Sequence, residues 1–301
     1  MRQILRFKNV RSLGICLWLC VVVSAADGAS SSSYASELRG QLFDPLTVRS
    51  KEGLLTRQGY DVNNLEAIKR ATTDSMSIMR QCALHLLTYH IREQAIPSLK
   101  IGLRDVDPRV RAASAGLLGA LGDLSGLEVM RRDLAELPKP DKDKEATGTS
   151  PMTPSDKPLI LRSENGRLRC ALGAAYVLAQ FGDTSGYQLA AQNALKNADV
   201  SLRTKSISIL TELGRLGKAT LQARACDPEG VLLAAAESET DSHALECIAS
   251  SSGKMSPESR LRILEKLLRS SHVSDGQRQR FQSGIERTKR ALEQEKKKPA
   301  Q

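Results

Sequence analysis

Aromatic residues are scarce in this chain: Phe, Tyr and Trp make up only 3% of its 301 residues. Strands favour aromatic and β-branched side chains, so this composition argues against a β-sandwich. No segment alternates apolar and polar residues with the two-residue period of a half-buried strand. Alanine and leucine are common instead. The composition therefore predicts an all-α fold, and the length suffices for one or two compact domains.

The motifs of common catalytic and metal sites are also missing. The sequence has no HExxH, GxSxG or Walker-type glycine loop, and no CxxC or Cys/His spacing that suits zinc. His85 and His90 are five residues apart, which does not place them on one helix face as metal ligands. We therefore expect no catalysis, no metal and no cofactor.

Basic residues exceed acidic ones, with a formal net charge of +10. Four of the surplus positive charges precede residue 12, and no acid occurs before residue 26, so removal of that segment would leave about +6. Few aromatic side chains are available for base stacking, so nucleic acid is not an expected partner. A weak contact between the basic C-terminal tail and an anionic membrane stays open.

The first 26 residues predict a signal peptide. Basic residues precede an apolar stretch at 12–23, and small residues near 23–26 suit a cleavage site. The apolar stretch is shorter than the roughly 20 residues of a membrane-spanning helix, and no later stretch is apolar enough to cross a bilayer. We predict cleavage and export to the periplasm or the medium, with retention as an anchor as the alternative.

Four cysteines would remain after cleavage: Cys82, Cys170, Cys226 and Cys247. An oxidising compartment permits disulfides, and four cysteines allow three complete pairings between which the sequence does not choose. Cys82 and Cys170 lie in apolar helical patterns and are interpreted as buried free thiols. The other two could link neighbouring helices.

Two stretches of the chain are near copies, GDLSG at 122–126 and GDTSG at 182–186. Each follows an apolar helix that begins with an arginine. Four such arginines follow a polar residue by six positions: the pairs are Asp74 and Arg80, Asp105 and Arg111, Ser163 and Arg169, and Asn197 and Arg203. The repeat of about 31 to 34 residues is typical of a helical solenoid, in which a first and a second helix form each repeat.

The repeats define the predicted organisation. Glycines at 122 and 214 are expected to end two of the first helices. A proline-rich stretch at 138–158 predicts a disordered insertion. The predicted segments are a signal peptide at 1–26, a flexible segment with at most one short helix at 27–62, repeats at 63–225, C-terminal helices that close the array at 226–295, and a basic tail at 296–301.

The run DVDPRVRAASAGLLGALGD at 105–123 resembles a HEAT repeat, closest to the HEAT-like type named after phycobilisome lyases. The resemblance extends over 163–214 and more faintly over 63–104, about half of the chain. It implies an α-solenoid of stacked antiparallel helix pairs. It also implies a ladder of Asp–Arg hydrogen bonds between repeats, charged at Asp74 and Asp105 and weaker where Ser163 and Asn197 replace the acid.

The same resemblance implies that the second helices line the concave face of the solenoid, where a ligand would bind. The residues expected to be exposed on that face are Glu128, Arg131, Arg132, Gln188, Gln192 and Lys196. The recurring Asp123 and Asp183 are interpreted as N-caps of second helices rather than as a catalytic carboxylate pair. The residues assigned to the structural ladder and caps are Asp74, Arg80, Asp105, Arg111, Asp123, Arg169, Asp183 and Arg203.

These observations favour an exported, non-catalytic scaffold that binds a protein partner on its concave face. One alternative is an enzyme accessory of the lyase-like type, which rests on fold analogy alone. A second alternative is a membrane-surface or polyanion binder that uses the basic C-terminal helix around Arg287, Lys289, Arg290 and Lys296 to Lys298.

Overall fold

The computed structural model describes residues 39–40, 43–137 and 158–297. The predicted signal peptide at 1–26, residues 138–157 of the predicted insertion and residues 298–301 of the basic tail lie outside the described residues. Within these ranges every regular element is a helix and no strand occurs. The all-α fold class is therefore confirmed.

The α-helices of the described ranges are numbered in chain order. They are α1 (Pro45–Arg57), α2 (Leu65–Ala71), α3 (Ser77–Ile91), α4 (Ile96–Gly102), α5 (Pro108–Ala120), α6 (Gly126–Glu136), α7 (Glu164–Gln180), α8 (Tyr187–Lys196), α9 (Val200–Gly214), α10 (Lys218–Ala223), α11 (Pro228–Ser238), α12 (Ser242–Ser251), α13 (Pro257–Leu268) and α14 (Asp275–Lys297). Short 3₁₀ helices span Arg92–Ala95, Leu159–Arg162 and Ser252–Lys254.

Local sequence signals begin many of these helices. The N-caps Asp44, Asp107, Asp227 and Ser256 each accept a backbone N–H of the first turn, and a proline follows each of them. The side-chain oxygen satisfies a donor that the helix itself leaves unpaired. Proline at the first helical position sacrifices no hydrogen bond, because a backbone N–H there would have no partner within the helix.

Left-handed glycines end α5 and α7. Gly122 has φ of +88° and Gly182 has φ of +76°. The following Asp123 N–H donates to the Leu118 carbonyl at 2.9 Å, and the same bond recurs after Gly182. This is the Schellman arrangement, which satisfies carbonyls at a helix end. Gly214, expected to do the same, is instead the last residue of α9 and is not among the glycines of positive φ.

The segment before the repeats differs from the sequence expectation. The sequence of residues 27–62 predicts a flexible segment with at most one short helix. The structure instead has α1, a helix of 13 residues that packs against α3. Leu55 of α1 is fully buried and Val48 nearly so. Two buried side chains on an otherwise polar helix give a weak apolar stripe, so only the tertiary contact reveals that α1 belongs to the folded unit.

The first helices α3, α5, α7 and α9 each pack against the next in the series. Helix α6 packs against α5 and α7, and α8 packs against α9 and α11. The buried apolar residues form two clusters, one on each side of α7, which contributes to both. Helices α11 to α14 continue the second cluster, with Leu232, Ile248, Ile263 and Phe281 in turn. None of the helices in the described ranges is both long and apolar enough to span a bilayer.

Candidate functional site

The ladder begins with Arg80. Its Nε and Nη2 atoms each donate to the Asp105 carboxylate at 2.7 Å, and its Nη1 donates to the Asp74 carbonyl at 2.8 Å. Arg80 thus joins the turn before α3 to the turn before α5. The Asp74 carboxylate takes a different partner, the Tyr60 hydroxyl at 2.6 Å, and this hydrogen bond lowers the pKa of Asp74.

Arg111 repeats part of this arrangement. Its Nη1 donates to the Asp105 carbonyl, six residues earlier, at 2.8 Å. Its Nε donates at 2.8 Å to Asp133, a buried carboxylate on α6. The sequence pattern does not identify Asp133, because it lies outside the six-residue spacing that defines the repeat.

After residue 158 the ladder of arginine contacts differs from expectation. It is predicted to weaken because Asn197 replaces the acid, and Arg203 does bind the Asn197 carbonyl through Nη1 at 2.9 Å. However, Arg203 also donates to both carboxylate oxygens of Glu239, at 2.7 and 2.9 Å. Burial acts to raise the pKa of Glu239, but the hydrogen bonds from Arg203 and the backbone outweigh it and lower the pKa.

Arg169 departs from the ladder altogether. Its Nη2 donates to the Ser201 hydroxyl at 2.7 Å and to Asp199 at 3.3 Å. The six-residue contact is made instead by Arg167, whose Nη1 donates to the Leu161 carbonyl at 3.4 Å. The repeat is shifted by two residues here, which leaves Arg169 on the surface.

Asp123 and Asp183 do not act as N-caps. The residues at the N-cap positions of α6 and α8 are Ser125 and Gly186, neither with a side-chain capping bond. Asp123 instead accepts the Ser125 N–H at 2.9 Å, two residues ahead, and Asp183 accepts the equivalent N–H at 2.8 Å. These are Asx turns, which shape the chain before the helix begins.

The second oxygen of each aspartate binds a cation from the preceding second helix. Lys100 of α4 lies 3.0 Å from Asp123, and Arg131 of α6 lies 2.8 Å from Asp183. The same contact thus joins α4 to the turn after α5 and α6 to the turn after α7. Sequence reasoning misses it, because the pattern assigns Arg131 to ligand binding.

All six residues predicted for the concave face are exposed on α6 and α8. Arg131 forms ion pairs with Asp183 at 2.8 Å and with Glu128 at 3.3 Å. Arg132 has a longer contact, 3.9 Å from the Asp133 carboxylate. None of the six lines the cavities found on the first helices, between α12 and α14, or beside α10. They lie instead on the exposed polar faces of α6 and α8.

A cavity of about 480 Å³ lies instead on the first helices, and we call it the first-helix groove. It crosses α3, α5, α7 and α9, and small residues form much of its lining: Ala112, Ala113, Gly116 and Gly173. A Cβ built on Gly116 or on Gly173 has no neighbour within 4 Å, so both glycines face open space.

The glycines within and just after α5 have different roles. Gly119 does serve close packing, because a Cβ there would lie 2.0 Å from Phe181 Cζ. Gly122 supplies positive φ. Gly116 does neither and leaves the groove open.

The charge in the first-helix groove is of one sign. Arg109, Arg169 and Lys205 line it, and none of its lining residues is acidic. Arg109 is paired with Asp107 at 2.6 Å outside the lining. Lys205 has no carboxylate partner among the described residues and lies 5.5 Å from the Tyr176 ring centroid. Burial lowers the pKa of the Lys205 ammonium.

The cysteine in the groove is poorly suited to nucleophilic chemistry. Burial raises the pKa of Cys170 to about 11, so the thiol stays protonated near neutral pH. Cys82, Cys226 and Cys247 are also free thiols. Across 39–40, 43–137 and 158–297 there is no cluster of three or more His, Cys, Asp or Glu residues that could hold a metal ion.

Comparison of the chain with family models, curated proteins and solved structures finds no match to any of them. The geometry of the site is therefore the basis for a functional proposal.

Proposed function

We propose that this chain is an exported, non-catalytic binding protein with the architecture of a HEAT-like α-solenoid, and that it holds a segment of a protein partner. The serial packing of α3, α5, α7 and α9 supports the solenoid. The arginine contacts that recur between repeats support it as well. Such repeat arrays present extended surfaces to their partners.

The observation that carries the binding site is the first-helix groove with its Lys205, which lacks a carboxylate partner in the described part of the chain. A partly buried ammonium without a carboxylate is unfavourable, and an anionic group from a ligand would relieve that cost. The small residues of the lining leave room for apolar side chains. The groove therefore suits a peptide segment with an acidic residue beside apolar ones.

The second-helix surface is the other place where a protein could bind, as the sequence predicts. It offers exposed polar groups from α6 and α8. Of these, Glu128, Gln188 and Gln192 take no part in the ion pairs that Lys100 and Arg131 form with Asp123 and Asp183. A matched pair of variants separates the two surfaces.

The test is capture of partners from the native exported fraction with three forms of the protein. The wild type is compared with a groove variant, Gly173→Leu with Lys205→Glu, and with a surface variant, Glu128→Ala with Gln188→Ala and Gln192→Ala. Circular dichroism confirms that all three remain folded. Mass spectrometry then identifies proteins that the wild type retains at moderate salt.

Loss of a retained protein with the groove variant alone is the expected result. Loss with the surface variant alone would move the site to the second helices and contradict the groove assignment. Retention of nothing by the wild type, or equal retention by all forms, would contradict the binding proposal.

A second candidate function rests on α14, where Arg287, Lys289 and Arg290 are exposed. These side chains would attract anionic lipid or another polyanion. Binding of this kind weakens steeply as salt screens the charges, whereas apolar contacts in the groove do not. Sedimentation with anionic vesicles at low and high salt distinguishes it from the groove-based function.

A further inference from the structure

A second cavity, of about 470 Å³, lies between α12, α13 and α14. We call it the C-terminal cavity. Its charged lining residues are Arg260 of α13, Arg280 and Arg287 of α14, and Glu246 of α12. Three cations thus face one carboxylate in a site separate from the first-helix groove.

The one carboxylate of this lining is already satisfied. Arg280 Nη2 lies 3.2 Å from Glu246 Oε2, and the amide of Gln277 donates to the same oxygen at 3.4 Å. Arg287 Nε donates to the Ser283 carbonyl of its own helix at 3.3 Å, and no carboxylate in the described ranges forms an ion pair with its guanidinium. The cavity therefore has a net positive charge contributed by Arg260 and Arg287.

Arg260 is the decisive residue. Its Nε atom is buried and has no hydrogen-bond partner among the described residues. No carboxylate in the described part of the chain pairs with its guanidinium. Three acids on this and the neighbouring helices have other partners: Glu229 pairs with Arg262, Glu237 with Lys266, and Glu265 with Lys289. A buried donor of a charged group is costly when it stays unpaired, so the position of Arg260 in the lining of this cavity points to a missing acceptor.

We propose that the C-terminal cavity binds a phosphoryl group, with Arg260 as its principal donor and Arg287 as a second cation. The planar guanidinium donates parallel hydrogen bonds to two oxygens of a tetrahedral anion, which a lysine does not do. The hydroxyls of Ser250 and Ser283 also line the cavity and supply further donors. The volume exceeds that of inorganic phosphate, so the phosphoryl group belongs to a larger molecule, either a soluble phosphomonoester or a phospholipid headgroup.

The test observes Arg260 directly. Arginine Nε–H groups give separate signals in a ¹H–¹⁵N spectrum, and the Arg260 signal is assigned by its loss in Arg260→Gln. The full chain is titrated with glycerol phosphate and, separately, with acetate at the same ionic strength. We expect the Arg260 signal to shift with glycerol phosphate in a saturable way and not with acetate.

Matched variants check the site. Arg260→Gln and Arg290→Gln remove the same charge, but Arg290 lies on the exposed side of α14 and does not line the cavity. We expect Arg260→Gln to weaken the calorimetric affinity for glycerol phosphate by about tenfold or more, which corresponds to one well-made charged contact. Arg290→Gln should leave the affinity within about twofold. Thermal unfolding of both variants shows that each still folds.

Vesicles distinguish the two sources of the phosphoryl group. If the phosphoryl group belongs to a lipid headgroup, vesicles that contain phosphatidic acid should retain the wild type but not Arg260→Gln. Saturable binding of glycerol phosphate without retention on vesicles indicates a soluble ligand. An Arg260 signal that does not move with either probe would overturn the proposal, as would an equal loss of affinity in both variants. Because this cavity and the first-helix groove share no residue, failure here leaves the proposed function untouched.

Discussion

Replacement of Arg203 by methionine should destabilise the protein by about 3 kcal/mol, because it leaves the buried Glu239 carboxylate without its cation. Only 5% of the Glu239 side chain and 15% of the Arg203 side chain are exposed, and two short hydrogen bonds join them. The variant also removes the bond to the Asn197 carbonyl. Glu239 retains the N–H donors of Thr240 and Asp241, which keeps the loss at the lower end of the range for broken buried pairs.

Urea unfolding followed by circular dichroism measures this loss. The double variant Arg203→Met with Glu239→Leu should be more stable than Arg203→Met alone, because no buried charge is left uncompensated. Lys69→Met is the matched control. It breaks the exposed pair between Lys69 and Glu66 and should change the free energy of unfolding by less than about 0.5 kcal/mol.

The pH dependence gives an independent check. Since the pKa of Glu239 is lowered in the folded protein, the stabilisation is present above its pKa in the unfolded chain. It is lost as the pH falls through the lower pKa of the folded state. The difference between wild type and Arg203→Met should therefore shrink in acid. If Arg203→Met lowers the free energy of unfolding by less than about 1 kcal/mol at neutral pH, Arg203 and Glu239 do not form a buried charged pair. A loss of stability that does not change with pH would refute the pair as well.

Three further predictions use the glycines and the groove cysteine. Gly173→Ala should stabilise the protein by about 0.5–1 kcal/mol, because alanine has the higher helix propensity and its Cβ enters open space; a lower urea midpoint would contradict this. Gly119→Ala should destabilise by about 1–3 kcal/mol through the clash with Phe181, and an unchanged midpoint would be inconsistent with the close contact. Cys170 should react with iodoacetamide at pH 8 more slowly than the less buried Cys226 and Cys247. Equal labelling rates by mass spectrometry would count against its burial.

Much of the helical layout is readable from local sequence. The starts of α11 and α13 follow from Asp227 and Ser256 with the proline after each, because a cap and its helix lie within a few residues of one another. The left-handed turn at Gly122 is equally local. Helix α1 is underestimated from sequence, since its apolar side is formed by a few residues whose burial depends on α3.

The site is less predictable, for geometric reasons. Helical spacing does not say whether a glycine faces a neighbouring helix or open space, so Gly116 and Gly119 look alike in the sequence. Glu239 lies where the repeat pattern has faded, and its pairing with Arg203 depends on how the chain returns 36 residues later. Arg131 is exposed, as expected, but no local pattern connects it to an aspartate in the following repeat.

Helix α7 contributes to both buried clusters, and this affects how the protein unfolds. Repeat arrays usually gain stability from contacts between neighbours alone, so their ends can melt separately. Here Val177 belongs to one buried cluster and Leu172 of the same helix to the other. Unfolding of either half would expose one side of α7, so we expect the two halves to unfold together. Since α7 also lines the first-helix groove, a ligand bound there would stabilise both halves at once.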